Sequence, residues 1–350
     1  MNIKKYAIIS LCMFLKFGCG FCSINLEENI QNFVLETKRI YVTGYAHAFN
    51  PSIIRWNGQL LMSFRILPDP KQTFHSEIGV VWLDENFCPI SKPQILNLAP
   101  KGISQAIPSR AEDGRLILVG ETLYLVYADN RDAKITKGGF RVYVAKLDVV
   151  DQTIIPTEIE PILNFEGEDP NLREKNWVPF AYQDELLLSY SISPHRIFRY
   201  LPGTKGCETF AETKPEYNWD FGILRGSTPG ININDQFYLS FFHSSTNMKT
   251  MHSNGLNCLH YFIGAYTFSL EPPFEILEMS SEPIIGENFY FGEIYKPYWH
   301  PICCVFPCGY IIEKDRIFIF YGRQDHEIWV ATIDKNGLLN SLKPVNNKID

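Results

Sequence analysis

The chain contains five pairs of short apolar segments, and a short polar turn separates the two members of each pair. The first pair, PSIIRWNGQLLMSFR (51–65), turns at Trp56-Asn57-Gly58. Turn residues flanked by alternating apolar positions are typical of β-hairpins. The other four pairs are RLILVGETLYLVYAD (115–129), WVPFAYQDELLLSYSI (177–192), GININDQFYLSFFHS (230–244) and GYIIEKDRIFIFYGR (309–323). The pattern predicts an all-β chain.

The five hairpins recur along the whole chain, which indicates repeated sheets rather than one open sandwich. Most of them are followed by a further strand-like run. These runs are SEIGVVWLD (76–84), FRVYVAKLD (140–148), YFIGAYTFSL (261–270) and EIWVATID (327–334). Each unit therefore offers about four strands, the content of a propeller blade. We predict a single five-bladed β-propeller domain over residues 24–350, with a two-sheet sandwich as the alternative.

Residues 1–23 have the layout of a secretory signal peptide. Lys4 and Lys5 precede an apolar run over 6–15, and small residues follow before the segment ends. A run of this length is too short to cross a bilayer as a helix, so no stable membrane span is expected. The pattern predicts a secreted or periplasmic protein, or a cytoplasmic one if the leader is not cleaved. A buried N-terminal strand or helix is the structural alternative.

Charge and cysteine content exclude several classes of partner. The net charge is -7 and no lysine-rich run is present, so we expect no nucleic-acid partner. Of nine cysteines, three fall in the leader and six in the body of the chain, where buried free thiols are the expected state. No paired CxxC motif and no histidines at metal-ligand spacing are visible, so the sequence predicts no metal site.

Polar residues recur just before or just after the apolar runs. In a propeller the inner strands surround a central channel, so polar residues at strand ends line a common pocket. The net charge of -7 suits a neutral substrate better than a polyanionic one. The candidates are Asn50, Arg65, Glu112-Asp113, Asp129-Asn130-Arg131, Glu174-Lys175-Asn176, Thr228, His243-Ser244 and Arg323–Asp325.

Seven short motifs in these regions occur in the order found in a known family. They are FNPSI (49–53), SRAEDGR (109–115), EKNWVPF (174–180), GSTPG (226–230), FFHSS (241–245), VFPCG (305–309) and FYGRQD (320–325). From about residue 47 to 334 the chain resembles glycoside hydrolase family 130, the β-mannoside phosphorylases and related enzymes. The resemblance implies a five-bladed propeller. The family also includes or borders on β-1,2-mannosyltransferases that use a sugar nucleotide or sugar phosphate.

The resemblance implies that Asp113 is the general acid, which passes a proton to the glycosidic oxygen through a sugar hydroxyl. One acid and an external nucleophile give inversion, so no second nucleophilic carboxylate is required. Neighbouring residues on a strand point to opposite faces, so we expect only one of Glu112 and Asp113 to face the cleft. The structural alternative is that this acidic pair only caps a turn.

The resemblance also implies contacts to phosphate or substrate. Lys175 and His243 match positions that bind phosphate, which needs convergent cations or hydrogen-bond donors. Arg65 matches the arginine that ends the first inner hairpin. We expect Trp177 to stack on a sugar ring. Asn50, Arg65, Trp177 and Asp325 form the predicted substrate-binding set, with no cofactor and inorganic phosphate as a co-substrate.

Three functions follow, with a mannose-containing oligosaccharide or glycan as the partner. The first is a phosphorylase or hydrolase that cleaves β-mannosides with inversion. The second is a β-1,2-mannosyltransferase, and the third is a non-catalytic glycan-binding propeller. Secretion would favour water as the nucleophile, whereas Lys175 and His243 favour phosphate.

Overall fold

The computed structural model describes residues 24–69, 71–72, 75–104, 107, 109–131, 139–168, 173–292 and 302–348. The predicted leader, residues 1–23, lies outside the described residues. Within the described ranges the regular secondary structure is almost entirely β, with one short α-helix, α1 (Lys335–Ser341), and two 3-10 turns. No helix in these ranges is both long enough and apolar enough to span a membrane.

Twenty-four strands are formed by the described residues. In chain order they are β1 (Val34–Ile40), β2 (Phe49–Trp56), β3 (Gln59–Ile66), β4 (Glu77–Leu83), β5 (Gln94–Ile95), β6 (Glu112–Val119), β7 (Thr122–Asp129), β8 (Arg141–Val150), β9 (Thr153–Pro161), β10 (Val178–Tyr182), β11 (Glu185–Ile192), β12 (His195–Leu201), β13 (Gly206–Glu216), β14 (Arg225–Gly226), β15 (Ile231–Ile233), β16 (Phe237–Lys249), β17 (Asn257–Phe268), β18 (Ile276–Met279), β19 (Ile302–Cys303), β20 (Val305–Glu313), β21 (Arg316–Arg323), β22 (Glu327–Asp334), β23 (Lys343–Pro344) and β24 (Asn346–Lys348).

The strands form five sheets, and four of these contain four neighbouring antiparallel strands. These four are β2–β5, β6–β9, β10–β13 with β24 at its edge, and β20–β22 with β1. The fifth sheet has seven strands and is less regular, because β14 and β15 both pair with β16. Four antiparallel strands in a row are the content of a propeller blade. The fold is therefore all-β and propeller-like, with four regular blades.

The N-terminal strand completes the C-terminal sheet. β1 pairs antiparallel with β22, from Val34 opposite Ile333 to Ile40 opposite Ile328. The hairpin pattern contained no signal for this pairing. In this sheet β1 is the outermost strand, so residues near the start of the described chain complete a sheet formed by residues near its end.

The five predicted hairpins are present as β2–β3, β6–β7, β10–β11, β15–β16 and β20–β21. Their turns use the residues that the sequence offers for left-handed backbone. Asn57 and Gly58 have φ of 46° and 81°, and Gln183 and Asp184 have φ of 48° and 60°. Positive φ at both central residues matches the twist of a two-residue hairpin turn. The prediction of an all-β chain built from hairpins is confirmed.

The first strand of each hairpin lines one cavity. This cavity of about 630 Å³ is formed by β2, β6, β10, β15 and β20, with mainly apolar side chains around it. We call this the lower end of the inner strands. The upper end of the same strands carries Asn50 on β2 and Glu112 and Asp113 on β6.

Candidate active site

Both β2 and β6 begin with a β-bulge at the upper end. In β2 the register steps from Phe49 opposite Arg65 to Ser52 opposite Ser63, and in β6 it steps in the same way between 112 and 115. Asn50 and Asp113 lie in these bulges with φ of 47° and 55°. A bulge re-aims the side chain it carries. Asn50 Nδ2 consequently donates a 2.8 Å hydrogen bond to Asp113 Oδ1.

Glu112 and Asp113 both reach the same guanidinium group. Arg65 Nη2 lies 2.9 Å from Glu112 Oε1, and Arg65 Nη1 lies 3.5 Å from Asp113 Oδ1. The two residues are 4% and 7% exposed. The prediction that only one of the two faces the cleft is wrong. The bulge inserts an extra residue at this point, so the alternation of faces expected of a regular strand does not hold.

Glu112 is the centre of a cluster of cations. Arg110 Nε lies 2.9 Å from Glu112 Oε1, and Lys175 Nζ pairs with Glu112 Oε2. The Lys175 ammonium also lies 3.6 Å from the centre of the Phe140 ring, a cation–π contact. Burial lowers the pKa of Lys175, and Glu112 opposes this shift. Three cations therefore surround two adjacent carboxyl groups.

Asp325 is a third carboxyl group at this site. Burial raises its pKa to about 6; the charge of Arg65 opposes the rise and that of Asp113 adds to it. Cys304 Sγ donates to Asp325 Oδ1 over 3.6 Å, and Gln324 N donates to the Cys304 carbonyl over 2.8 Å. Asp325 is thus close enough to Arg65 and Asp113 for their charges to affect its pKa.

Arg115 fixes the backbone beneath Asp113. Its guanidinium is buried and donates to the Asp113 carbonyl over 2.9 Å, to Asn176 Oδ1 over 3.2 Å, and to the Ser227 carbonyl. Asp113 has a left-handed backbone, which a side chain disfavours, so an anchor on its carbonyl is needed to hold the conformation. Arg115 was not among the predicted site residues, although it ends the motif SRAEDGR.

His243 joins this network as a neutral group. Its Nδ1 lies 2.7 Å from Ser227 Oγ, and its ring centre lies 4.6 Å from that of Phe306. Burial, with the charges of Arg115 and Arg225, lowers the pKa of His243 to about 3. The imidazole is therefore uncharged near neutral pH. It therefore adds no positive charge to the cations that were expected to converge from the sequence.

Trp177 packs in the core. It is 1% exposed, with its ring centre 5.0 Å from Phe165, 5.1 Å from Tyr190 and 5.3 Å from Phe198. Its indole Nε1 donates to Glu174 Oε2 over 3.1 Å. The predicted stacking of Trp177 on a sugar ring does not fit this position, because neighbouring aromatic rings already surround the indole.

The residues predicted as catalytic, substrate-binding or phosphate-binding thus fall into three groups. Asn50, Arg65, Asp113, Lys175 and Asp325 are brought together at the upper end. His243 connects to Asp113 indirectly, through Ser227 and Arg115, and Trp177 belongs to the core. Arg110, Phe140 and Cys304 also lie at this site but were not predicted, because none of them carries a recognisable spacing signal of its own.

The sequence profile of glycoside hydrolase family 130, described as beta-1,4-mannooligosaccharide phosphorylase, matches residues 22–344. The chain belongs to this family. Family 130 consists of mannoside phosphorylases and glycoside hydrolases that act on β-mannosidic linkages, so the chain is an enzyme of this class. No curated protein sequence matches it.

Solved structures of the family share the fold. A β-1,2-mannobiose phosphorylase from Listeria innocua, in complex with β-1,2-mannobiose, is 14% identical with a TM-score of 0.53, covering 87% of this chain and 92% of that one. A second structure is described among family 130 hydrolases that target β-1,2-mannosidic linkages in Candida mannan. It is 14% identical with a TM-score of 0.61, and the match covers 91% of this chain and 94% of that one. A mannose phosphorylase from Leishmania mexicana, in complex with phosphate ion, is 12% identical with a TM-score of 0.57. The match covers 93% of this chain and 96% of that one. At these identities the likeness shows the fold alone.

Proposed function

We propose that this family 130 enzyme cleaves β-mannosides with inversion, with Asp113 as the general acid and inorganic phosphate as the nucleophile. One observation carries the proposal. The Asp113 carboxylate is buried at the upper end of the inner strands and contacts Arg65, which also contacts Glu112 among the cations Arg110 and Lys175. An acid beside a cluster of cations suits a reaction between a glycoside and an anion.

The proposed reaction needs one acid and no enzyme nucleophile. Within the described residues, both contacts to the Asp113 carboxyl use Oδ1, which leaves Oδ2 for a sugar hydroxyl. Protonated Asp113 gives its proton to that hydroxyl, which in turn protonates the glycosidic oxygen. A phosphate oxygen attacks C1 from the opposite face as the C1–O bond breaks. The products are an inverted mannose 1-phosphate and the shortened sugar.

Phosphate binding is assigned to Lys175, with Arg65 and Arg110 beside it and His243 as a neutral donor. Guanidinium and ammonium groups bind phosphate oxygens through charge-assisted hydrogen bonds. Lys175 is paired with Glu112 here, so phosphate would compete with that carboxylate for the ammonium. Asn50 and Asp325 are assigned to the hydroxyls of the mannosyl unit. The phosphate ion in the Leishmania mexicana relative supports phosphate as the co-substrate.

We also propose that the seven-stranded sheet is the fifth blade of a single domain. Its strand β15 lines the lower cavity together with β2, β6, β10 and β20, as expected if each sheet gives one inner strand to the central channel. For residues 1–23 we propose a leader that is removed on export. Determining the N-terminal residue of the mature protein from its native host tests this, and a protein that keeps Met1 contradicts it.

The deciding experiment is a release assay on β-1,2- and β-1,4-linked manno-oligosaccharides with and without phosphate. We expect a sugar 1-phosphate that forms only when phosphate is present. Asp113→Asn should lower kcat by about 10² to 10⁴, the usual contribution of a general acid. The matched control is Asp315→Asn, an exposed aspartate in the β20–β21 turn at the lower end, which should leave kcat unchanged.

Other outcomes separate the alternatives. Full release in water alone would make the enzyme a hydrolase. Transfer from a sugar nucleotide or sugar phosphate to an acceptor, without release in its absence, would make it a β-1,2-mannosyltransferase. A glycan-binding propeller would show no turnover, and its affinity for glycan would not change in Asp113→Asn. Unchanged kcat in that variant would remove Asp113 from the chemistry.

A further inference from the structure

Two thiols and one imidazole meet in the core close to the candidate active site. Cys258 and His260 are two residues apart on β17, so their side chains share one face of the strand. β19 runs parallel to β17 and pairs Cys303 with His260. The two Sγ atoms and one ring nitrogen of His260 all lie within 4.8 Å of one another. Three metal-ligating groups therefore converge from two strands.

We propose that Cys258, His260 and Cys303 bind one thiophilic metal ion of the Zn²⁺ and Cu⁺ class, and that this ion fastens β19 to β17. Zinc bonds are about 2.3 Å to sulfur and about 2.0 Å to nitrogen, so ligand atoms around one tetrahedral ion are about 3.5 to 3.8 Å apart. The three ligand atoms lie within 4.8 Å of one another, so each separation would have to contract by about 1.3 Å at most. Thiolate and imidazole ligands select these ions over Mg²⁺ and Ca²⁺, which prefer oxygen.

The orientation of His260 suits a ligand. Its Nδ1 lies 2.9 Å from the carbonyl oxygen of Cys258. A carbonyl can only accept, so Nδ1 carries the proton and Nε2 keeps a lone pair. A backbone carbonyl on the second nitrogen is the usual support of a metal-bound histidine. The hydroxyl of Thr250, 2.8 Å from Nε2, is the donor that an ion would displace.

The cluster differs from an ordinary buried thiol. His260 and Cys303 are fully buried and Cys258 is 5% exposed. Cys207 is buried to a similar extent, but it packs in the aromatic and aliphatic core around Trp177. Within the part of the chain that the structure describes, no other three cysteine, histidine or acidic side chains converge this closely. Cys207 is therefore the matched control for a buried thiol without the other ligands.

The ion would also stabilise residues next to the active site, because two of its ligands precede residues that contact Asp325 and His243. Cys303 precedes Cys304, whose thiol donates to Asp325. Tyr261 follows His260 on β17 and lies parallel to the His243 ring, with 5.9 Å between ring centres. Joining β17 to β19 would hold both neighbours in register. The assignment stands on the three ligands alone and does not depend on the proposed phosphorolysis.

The test uses the whole chain, kept reduced and stripped of metal with a chelator. Zn²⁺, and separately Cu⁺ without oxygen, is added and excess is removed before elemental analysis. We expect one ion per chain with either metal and a rise in Tm, because a ligand that binds only the folded state stabilises it. Co²⁺ should give the charge-transfer absorption of a thiolate complex, which requires no variant.

Cys258→Ser and Cys303→Ser should each weaken metal binding by about 100-fold or more. Even groups that only hydrogen-bond to a metal ligand contribute about 10- to 100-fold to metal affinity. Cys207→Ser should retain one ion per chain. The proposal is overturned if the reduced wild-type protein binds no stoichiometric Zn²⁺ or Cu⁺. It is also overturned if the two ligand variants bind as the wild type does, or if the isolated protein contains a Cys258–Cys303 disulfide.

Discussion

The two ends of the inner strands differ in backbone regularity and in charge. At the upper end β2 and β6 are bulged, Asn50 and Asp113 have positive φ, and carboxyl and guanidinium groups are in contact. At the lower end the same strands pair in unbroken register and line a mainly apolar cavity. The sheets therefore supply a common frame, and the bulges decide where polar side chains leave the regular alternation and meet.

This difference also has an energetic side. A non-glycine residue held in the left-handed region costs about 1 to 3 kcal/mol and persists only where its surroundings fix it. At Asp113 the surroundings are Arg115 on its carbonyl and Asn50 on its carboxylate. The regular lower end contains no such strain in these two strands. Disturbing the upper end should therefore change activity and stability together, whereas disturbing the lower end should change stability alone.

The largest effect is expected from Gly322→Ala, which would crowd Asn50. A Cβ at this position would lie 2.0 Å from Asn50 Oδ1 and 2.7 Å from Asn50 N. Overpacking of this kind costs about 1 to 3 kcal/mol of stability. Displacing Asn50 also removes a contact of Asp113, and a shift of about 1 Å in a catalytic group can lower kcat/KM by about 100-fold. Urea unfolding and the phosphorolysis assay measure the two effects.

Gly230→Ala at the lower cavity is the matched control. Its Cβ would lie 2.9 Å from Phe268 Cζ and 3.0 Å from Phe180 Cβ, so it should lose stability by a comparable amount. The crowded groups are core side chains, and kcat/KM of the folded variant should equal that of the wild type. Equal losses of activity in Gly230→Ala and Gly322→Ala would remove the distinction between the two ends.

The fold could be predicted from sequence as far as the signals were local. A hairpin can be recognised from its turn and the two apolar runs beside it. The five hairpins and most of their third strands were therefore predicted. The pairing of β1 with β22 was not found, because Val34 and Ile333 meet through the closure of the whole chain. The splitting of the inner strand into β14 and β15 likewise had no local signal.

The sequence predicted many of the residues that form the site but not how they are arranged. Polar residues at strand ends identified Asn50, Asp113 and Lys175, which do meet. The bulge that turns both Glu112 and Asp113 to Arg65 was missed, since alternation is the default for a strand. Trp177 follows Lys175 closely in sequence, but sequence alone does not tell which side of the sheet an aromatic ring takes. The low pKa of His243 depends on burial, which only the folded chain provides.

A smaller effect, with a definite pH dependence, is expected from Asp325→Asn at the upper end. Burial holds the pKa of Asp325 at about 6, above its ordinary value of 3.8. Because the folded state binds this proton more tightly, the free energy of unfolding falls as pH rises between these two values, and the cost remains at higher pH. Removing the carboxylate should stabilise the protein by about 1 to 3 kcal/mol near pH 7.5 and by almost nothing near pH 4.

Urea unfolding of both proteins at the two pH values measures this difference. Asp315→Asn is the exposed control and should show no pH-dependent change. A stabilisation of Asp325→Asn that is equal at both pH values would exclude titration of Asp325 as its cause. Loss of mannoside affinity in the same variant is expected, because Asp325 is assigned to the sugar hydroxyls.

The smallest effect is expected at the rim of the lower cavity. Arg55 contacts both oxygens of Glu85 at 2.8 Å and also pairs with Glu313. Glu313→Gln leaves the contact with Glu85 in place. Ion pairs this exposed contribute less than about 1 kcal/mol because water screens them. We expect a loss near about 0.5 kcal/mol that shrinks at about 1 M salt, with kcat and KM unchanged. A loss of kcat/KM of about tenfold, equal to about 1.4 kcal/mol, would instead mean that a charged group at the lower end takes part in function. A residue this exposed, with only a structural role, should not affect the transition state so strongly.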